Sequence, residues 1–577
     1  MSGDVPRHAH SEATRLLSAG AHLSADFRRR VVDELVGHAE RPVAPSLGLD
    51  VLTVLAHALR ARRRELYAAL ALLLIWALFV AVETRMPERE AAPVPETSGI
   101  TVFGIDLGSL SVSGAAPYIY AGLCLVLLLA RLVLGKPAPR PGVSEPPSPF
   151  RSLPPGGWLR RSVGSLLTFA GRLGMLVYWA VAVDGVADDP FPLIFPLALA
   201  LVVWVHRMTQ ETLLREELGR DSFAGARPTP LPDTPRLRRV REAAAREQHA
   251  KGALYDPYLP FVGAGSPHQP WSFALELKRE KPNGTLTGKR LGDTEVPAQG
   301  APPELTARRV IDLVRGPLEA LRKAAAEGSV DRLRDLELDE FVYLPAGPGR
   351  EEGFHTPESV AGHIAAAAGE GGEGRRHFLR IRIGAWDEQI VVTVFVRVHT
   401  QGRMLVLEVL PHVLGPVREE FRAADALAPA PGPADVARGA VRALAAAPTE
   451  LLTLLWGGAR TAVAVPRTAW EAPERGAPGA PLVSVRELGS AEGFSLFQEM
   501  DVSRYVKTVQ DRIASGVRDA LELSGFRTDR FEQYVVNVSD GGLFIGGMSG
   551  GYATGQVSGG AVAMGEHSRA TTGGSGT

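Results

Sequence analysis

The chain has 577 residues, with 63 Lys and Arg against 64 Asp and Glu, and one cysteine. The formal net charge of -1 excludes a globally basic nucleic-acid binder, so no nucleic-acid partner is expected. The single cysteine, Cys124, excludes intrachain disulfides and cysteine-based zinc or iron–sulfur sites. A typical domain of about 150 residues allows roughly four structural units.

The N-terminal region, residues 1–65, is predicted to be a small helical unit on the cytoplasmic side of a membrane. Its polar beginning has no apolar h-region, so a cleaved secretory signal is not expected. Two short helices are predicted over residues 12–40, with Ser24 as an N-cap. A third helix is predicted to begin near Asp50 and to continue directly into the first apolar run.

Four apolar runs predict an α-helical membrane protein. The predicted transmembrane helices are residues 66–82, 112–134, 163–183 and 190–206. Arginines precede the first run and populate the Pro-rich linker at 135–162, whereas the loops at 83–106 and 184–190 hold few basic residues. Because Lys and Arg accumulate on the cytoplasmic side, we expect two hairpins in the cell membrane with both termini in the cytoplasm. The alternative is that the third and fourth segments form a re-entrant pair.

Two arginines fall inside these runs. Arg131 lies near the end of the second run and is predicted to reach the cytoplasmic surface. Arg172 lies near the middle of the third run, and a charge at that depth is a candidate intramembrane polar site. Either Arg172 lines a polar path or pairs with another helix, or the helix enters the membrane late and Arg172 reaches back to the interface.

The segment at 236–428 is predicted to be a cytoplasmic α+β domain with a mostly antiparallel sheet. Helical patterns occur at 304–327 and 356–368, and the strands at 390–398 and 404–410 flank TQGR as a hairpin. Asp335, Glu337 and Asp339 lie on one face of a predicted strand. That face is either solvated or a carboxylate cluster for a divalent metal or acid–base chemistry. No complete metal or cofactor motif accompanies it, so no cofactor is expected.

The loop FVGAGSP is the candidate binding loop of this domain, with Phe261, Gly263, Gly265 and the following Trp271 as its key residues. It lacks the third glycine of a dinucleotide fingerprint, and a strand follows it where that fingerprint needs a helix. A structural turn and a ligand-binding loop are therefore the two interpretations.

The region at 434–533 is predicted to be helical. Residues 434–465 are apolar but interrupted by charges, which favours a packed or interfacial helix over a spanning one. Residues 501–523 form an amphipathic helix whose apolar stripe favours docking on a core; self-association is the alternative. The stripe consists of Val502, Val506, Val509, Ile513, Val517 and Leu521.

The tail at 534–577 is Gly-rich and has no charge between Gly541 and Gly565. It is either a flexible extension or a self-associating β segment, because uncharged apolar stretches without proline can pair as cross-β ladders. The candidate self-association residues are Phe544, Ile545, Gln556, Val557 and Val562. Ser549 matches G-x-S-x-G, but the Gly-rich sequence after it opposes the helix that a nucleophile elbow requires.

Three segments carry a family resemblance: ATRLLSAGAHLSADF, PFVGAGSPHQPWSFAL and MDVSRYVKTVQDRIASGVRDAL. With them the chain resembles uncharacterised multi-pass membrane proteins of actinobacteria, a resemblance that implies no activity and no functional residue. The tail sequence LFIGGMSGGYATGQVSGGAVAMG separately looks like Gly-rich bacterial amyloid-signalling motifs.

The leading functional hypothesis is a non-enzymatic membrane protein whose cytoplasmic module binds a protein partner or forms a homo-oligomer, with the tail contributing. The alternative is a channel or transport accessory subunit with Arg172 in its path. A membrane-tethered hydrolase is the third possibility, with Ser549 as the residue to test.

Overall fold

The computed structural model describes most of the chain, and all structural statements below concern that part. The described residues are 8–46, 48–85, 101–102, 105–106, 115–135, 157–226, 228–279, 304–328, 332–346, 354–367, 374–384, 389–427, 432–469 and 479–533.

The helices and strands follow the chain in this order. The helices are α1 Glu12–Leu23, α2 Ala25–Val32, α3 Val51–Arg85, α4 Ala116–Leu134, α5 Gly157–Asp184, α6 Phe191–Glu216, α7 Arg220–Phe223, α8 Pro235–Glu247, α9 Ala307–Gly328, α10 Pro357–Ala367, α11 Pro433–Ala469, α12 Val485–Leu488 and α13 Leu496–Leu523. The strands are β1 Thr101–Val102, β2 Ile105–Asp106, β3 Gly252–Tyr255, β4 Ser266–Pro267, β5 Trp271–Glu276, β6 Glu337–Pro345, β7 Arg376–Ile383, β8 Val391–Gln401 and β9 Met404–Leu414.

The N-terminal helices α1 and α2 form a compact unit with the first turns of α3. The Ser24 side chain accepts a hydrogen bond from the Phe27 backbone N–H, which confirms the predicted N-cap. Arg15 is only 1 % exposed. It donates to the Leu218 carbonyl oxygen at 2.8 Å and pairs with Asp425 at 2.8 Å, so α1 is bound to two segments distant in sequence.

Four helices, α3 to α6, are long and apolar enough to cross a membrane. They overlap the four predicted runs. Helix α3 extends without a break from the N-terminal unit into the first run, as predicted. Gly164 and Gly171 of α5 lie against Leu134 and Leu127 of α4. Small residues at such contacts let two apolar helices approach closely, which stabilises them where no hydrophobic effect operates between helices.

Helix α11 packs against α3, α4 and α6 and is not among the four candidate spans. Ala447 and Leu451 are buried against the bundle, and the Arg62 guanidinium donates to the Thr461 carbonyl oxygen at 3.2 Å. Glu450 pairs with Arg207 of α6. The predicted packed helix at 434–465 therefore covers the ends of the spans that lie nearest the N-terminal unit.

The remaining strands form one seven-stranded sheet with the order β3-β6-β7-β8-β9-β4, and β5 also pairs with β9. This sheet is mixed, which corrects the prediction of a mostly antiparallel one: β3 runs parallel to β6. The chain leaves β3 and passes through β4, β5 and α9 before it returns as β6, and such a long connection is what parallel neighbours require.

Helices α9 and α13 cover one face of the sheet. All six residues of the predicted α13 stripe are buried against α9 and the strands. The core-docking interpretation of this helix is thereby confirmed, because the stripe is not available for another chain. The stripe's burial also places α13 beside the sheet, while α11 lies beside the spans.

Candidate functional site

The candidate binding loop is anchored by Phe261 on the sheet face that α9 and α13 leave uncovered. The Phe261 ring stacks on Phe395, with ring centroids 4.5 Å apart. It also meets the edges of Tyr343, Phe378 and His412 at centroid distances of 5.3, 5.4 and 4.9 Å. Phe261 is therefore a partly buried residue that packs on the aromatic cluster of this sheet face.

Gly263 and Gly265 adopt backbone conformations that favour glycine, with φ of 98° and 88°. Their N–H groups donate to the same Glu487 oxygen, Oε1, at 2.7 and 3.0 Å. A Cβ at Gly263 would lie 2.7 Å from the Pro45 carbonyl oxygen, and one at Gly265 would overlap the Val413 backbone. Close approach to two other segments is thus a second reason for glycine at both positions.

The second oxygen of Glu487, Oε2, accepts the Ser484 N–H at 3.0 Å and completes a capping box at the start of α12. One carboxylate therefore connects the 261–265 loop with α12, and the loop itself contacts Pro45 of the N-terminal unit. We call this arrangement the Glu487 junction. Because both glycine N–H groups are already satisfied, the junction favours the structural-turn interpretation of FVGAGSP.

Trp271 is not part of the Glu487 junction. It begins β5 and stacks on Phe273 with centroids 5.8 Å apart, against the core that includes α9 and α13. Its indole Nε1 is buried and has no hydrogen-bond partner among the described residues. The structure thus separates Trp271 from the three loop residues with which the sequence grouped it.

The predicted carboxylate cluster is distributed over two ion pairs and a turn. Glu337 pairs with Arg382 at 3.1 Å and Asp339 with Arg380 at 2.8 Å, across the β6–β7 ladder. Asp335 precedes β6 in a 3-10 turn. Glu337 and Asp339 therefore share one face of β6 as ion-pair partners, while Asp335 lies outside the strand. The described residues hold no group of three His, Cys, Asp or Glu with metal-binding geometry.

Sequence reasoning missed the buried arginines of β7. Arg380 is 4 % exposed and lies over the Phe341 ring at 4.3 Å. The sequence contains a matching pattern, because two acidic residues of β6 and two arginines of β7 have the same spacing of two residues. In the structure each acidic residue lies opposite one arginine. Recognising it requires the pairing register of the two strands, which hydrophobic alternation within each strand does not supply.

Glu340 lies on the opposite face of β6 and has three basic partners. It accepts from His377 at 3.1 Å, from Arg308 at 2.6 Å and from Arg315 at 2.8 Å. The His377 hydrogen bond, with Arg308, outweighs burial and lowers the pKa of Glu340 from 4.5 to about 2. The ionised carboxylate therefore joins α9 to β6 and β7.

Glu340→Gln is expected to lower the unfolding free energy of the sheet domain by about 2 kcal/mol at neutral pH, since charged hydrogen bonds are lost. A depressed folded-state pKa stabilises the fold above the unfolded pKa and loses that stabilisation as the pH falls. The Tm measured in detergent should therefore change less between pH 5 and roughly pH 2 in the variant than in the wild type. Equal slopes of Tm against pH in the two proteins would contradict stabilisation by the ionised Glu340 carboxylate.

Arg172 lies on the exposed side of α5, next to the Gly171 position that contacts α4. It does not point into the four-helix bundle, so the described residues place no polar path around it. The candidate tail residues Phe544, Ile545, Gln556, Val557 and Val562, and also Ser549, lie outside the described residues.

Part of the chain is similar to a known protein family. No curated protein and no solved structure is similar to the chain. Residues 270–552 match the AbeC-like domain family. The match begins one residue before β5, includes α11 and α13, and extends past the last described residue. The part of the chain from the edge strand β5 to residue 552 is therefore similar to the AbeC-like domain family.

Proposed function

We propose that the chain is a non-enzymatic integral membrane scaffold that assembles with copies of itself. In this proposal α3 to α6 form two hairpins in the cell membrane, and both termini and the sheet domain lie in the cytoplasm. The arginines at 60 and 62–64 support this orientation, because basic residues accumulate on the cytoplasmic side. The Gly-rich tail supplies the assembling segment, consistent with its resemblance to amyloid-signalling motifs.

The observation that carries the proposal is the open edge of β5. The Leu277 N–H donates to the Arg403 carbonyl oxygen at 2.7 Å. This bond shows which residues of β5 direct their backbone N–H and C=O groups toward β9 and which direct them to the other side. The backbone groups of Ser272, Ala274 and Glu276 then point away from β9. Among the described strands none pairs with this outer side. An edge of this kind is a template for another strand.

The described part of the chain ends close to β5. The Arg527 N–H donates to the Lys278 carbonyl oxygen at 3.0 Å, on the same outer side of the chain that continues from β5. Phe531, two residues before the described part ends, packs on Phe273 of β5 at a centroid distance of 5.5 Å. The described part therefore ends beside β5, and the uncharged residues 541–565 follow it in the sequence.

An exposed apolar patch lies at the start of α13. Phe494, Leu496, Phe497 and Met500 are exposed at the start of α13, with Phe497 76 % exposed. A contiguous exposed apolar surface favours a protein contact.

The test measures particle size by light scattering in detergent for four forms of the protein. The wild type and Ala274→Val, which keeps the outward N–H, are expected to form large assemblies. Ala274→Pro, which removes that N–H without breaking the β9 ladder, and the truncation to residues 1–534 are expected to give small particles. Four equal particle sizes would refute assembly through the β5 edge and the tail.

A further inference from the structure

A groove opens between α3, α6 and the first turn of α11, with a volume of about 540 Å³. Along α6 it is lined by Trp204, Met208, Thr209, Thr212 and Glu216, and Arg64 of α3 lines its side. The groove is distinct from the Glu487 junction and from the β5 edge. No function described above uses it.

The lining changes from apolar to polar along α6. Trp204, Val205 and Met208 occupy the part nearest the apolar run of α6, Thr209 and Thr212 follow within about two turns, and Glu216 lies one turn further. Helices α3 and α6 are antiparallel, since Arg60 pairs with Glu217 while Phe79 stacks on Phe195. Arg64, one turn after Arg60, therefore lies at the polar part of the groove.

Two hydrogen-bond donors in the groove lack acceptors. The Arg64 Nη1 and the Trp204 Nε1 are both buried, and neither has a partner among the described residues. A buried donor left unsatisfied costs about 1–3 kcal/mol. Two such donors beside one groove indicate that an acceptor with several oxygens belongs there, and a phosphate is the group that arginine binds best in this setting.

The remaining charges of the groove specify the class of ligand. Glu217 is paired with Arg60, and Arg207 nearby is paired with Glu450. Arg64 and Glu216 are then the charged side chains left to face a ligand, one cation and one carboxylate. This pair matches a zwitterion with a phosphate and an amine, and it disfavours a headgroup with a second negative charge.

We propose that this groove binds the headgroup of an aminophospholipid from the adjacent leaflet. The phosphate accepts from Arg64 Nη1 and Trp204 Nε1, the amine lies on the side of Glu216, and an acyl chain follows Val205 and the apolar run of α6 into the bilayer. The inference rests on the membrane placement in the proposed function and not on assembly.

The test is native mass spectrometry of the full chain, delipidated in detergent and titrated with phosphatidylethanolamine or phosphatidylglycerol. Arg64→Gln should weaken retention of phosphatidylethanolamine about tenfold, because one charged hydrogen bond is worth at least 1.4 kcal/mol. Trp204→Phe, which removes only the N–H, should weaken it several-fold. Arg63→Gln is the matched control, since Arg63 is the exposed neighbour of Arg64 and should retain the lipid like the wild type.

Further arms separate the possible outcomes. Glu216→Gln should reduce the preference for phosphatidylethanolamine over phosphatidylglycerol. Equal lipid retention by Arg64→Gln and Arg63→Gln would overturn the site, and displacement of the lipid by inorganic phosphate alone would assign the groove to free phosphate. The 1–534 truncation should retain the lipid fully, so failed assembly does not affect this result. Extraction of the chain from membranes by alkaline carbonate would instead refute the membrane placement itself.

Discussion

Gly265→Ala is expected to lower the unfolding free energy of the sheet domain by about 3 kcal/mol. A side chain at positive φ costs about 1–2 kcal/mol, and forcing a Cβ against the Val413 backbone adds about 1–3 kcal/mol of overpacking. For a domain of this size the corresponding Tm decrease is about 6–12 °C. Differential scanning fluorimetry in detergent measures this decrease directly.

Gly402→Ala is the control for the backbone conformation. Gly402 also has a positive φ, 62°, but an added Cβ there meets no atom within 4 Å. It should cost only the conformational part, about 1–2 kcal/mol. The difference in unfolding free energy between the two variants then gives the cost of forcing a Cβ against β9. Equal Tm values would contradict the packed position of Gly265.

Glu487→Ala is expected to be similarly disruptive, with a loss of about 3 kcal/mol. The Gly263, Gly265 and Ser484 N–H groups would all lose their acceptor, at about 1 kcal/mol each. The junction should open locally, so hydrogen exchange at residues 261–265 and 484–488 should accelerate more than at the centre of the sheet. Mass spectrometry of the exchanged peptides provides the measurement.

Glu492→Ala provides the matched control, because Glu492 is an exposed carboxylate in the same segment. This substitution should change the unfolding free energy by no more than about 0.5 kcal/mol, as most surface substitutions do. A double variant with Gly263→Ala should be less destabilised than the sum of the single variants, because both changes break the same junction. Additive losses, or unchanged exchange in Glu487→Ala, would show that Glu487 does not hold the loop.

The junction also indicates how the chain is organised. The family match begins at residue 270, after the loop, yet Gly263 and Gly265 bind Glu487 inside the matched region. Pro45 contacts the same loop from the N-terminal unit. The region that matches the AbeC-like family is therefore joined to the N-terminal unit by direct contacts as well as by the covalent chain.

The sequence by itself determined the local elements of this protein. The four candidate spans, the Ser24 cap and the α13 stripe were predictable because their signals repeat within one segment: continuous apolarity, a capping side chain, or a period near 3.6 residues. The α13 stripe needed no knowledge of its partner, since an apolar face must be buried against some surface.

Only the tertiary structure decided which distant segments meet. The Glu487 junction joins residues more than 200 positions apart, the Arg380 and Arg382 pairs depend on the register of β6 and β7, and the parallel position of β3 depends on a long connection. The groove at Arg64 likewise exists because α3, α6 and α11 converge. Contacts of this kind follow from the packing of whole elements, and a pattern read within one element carries no information about its neighbour's register.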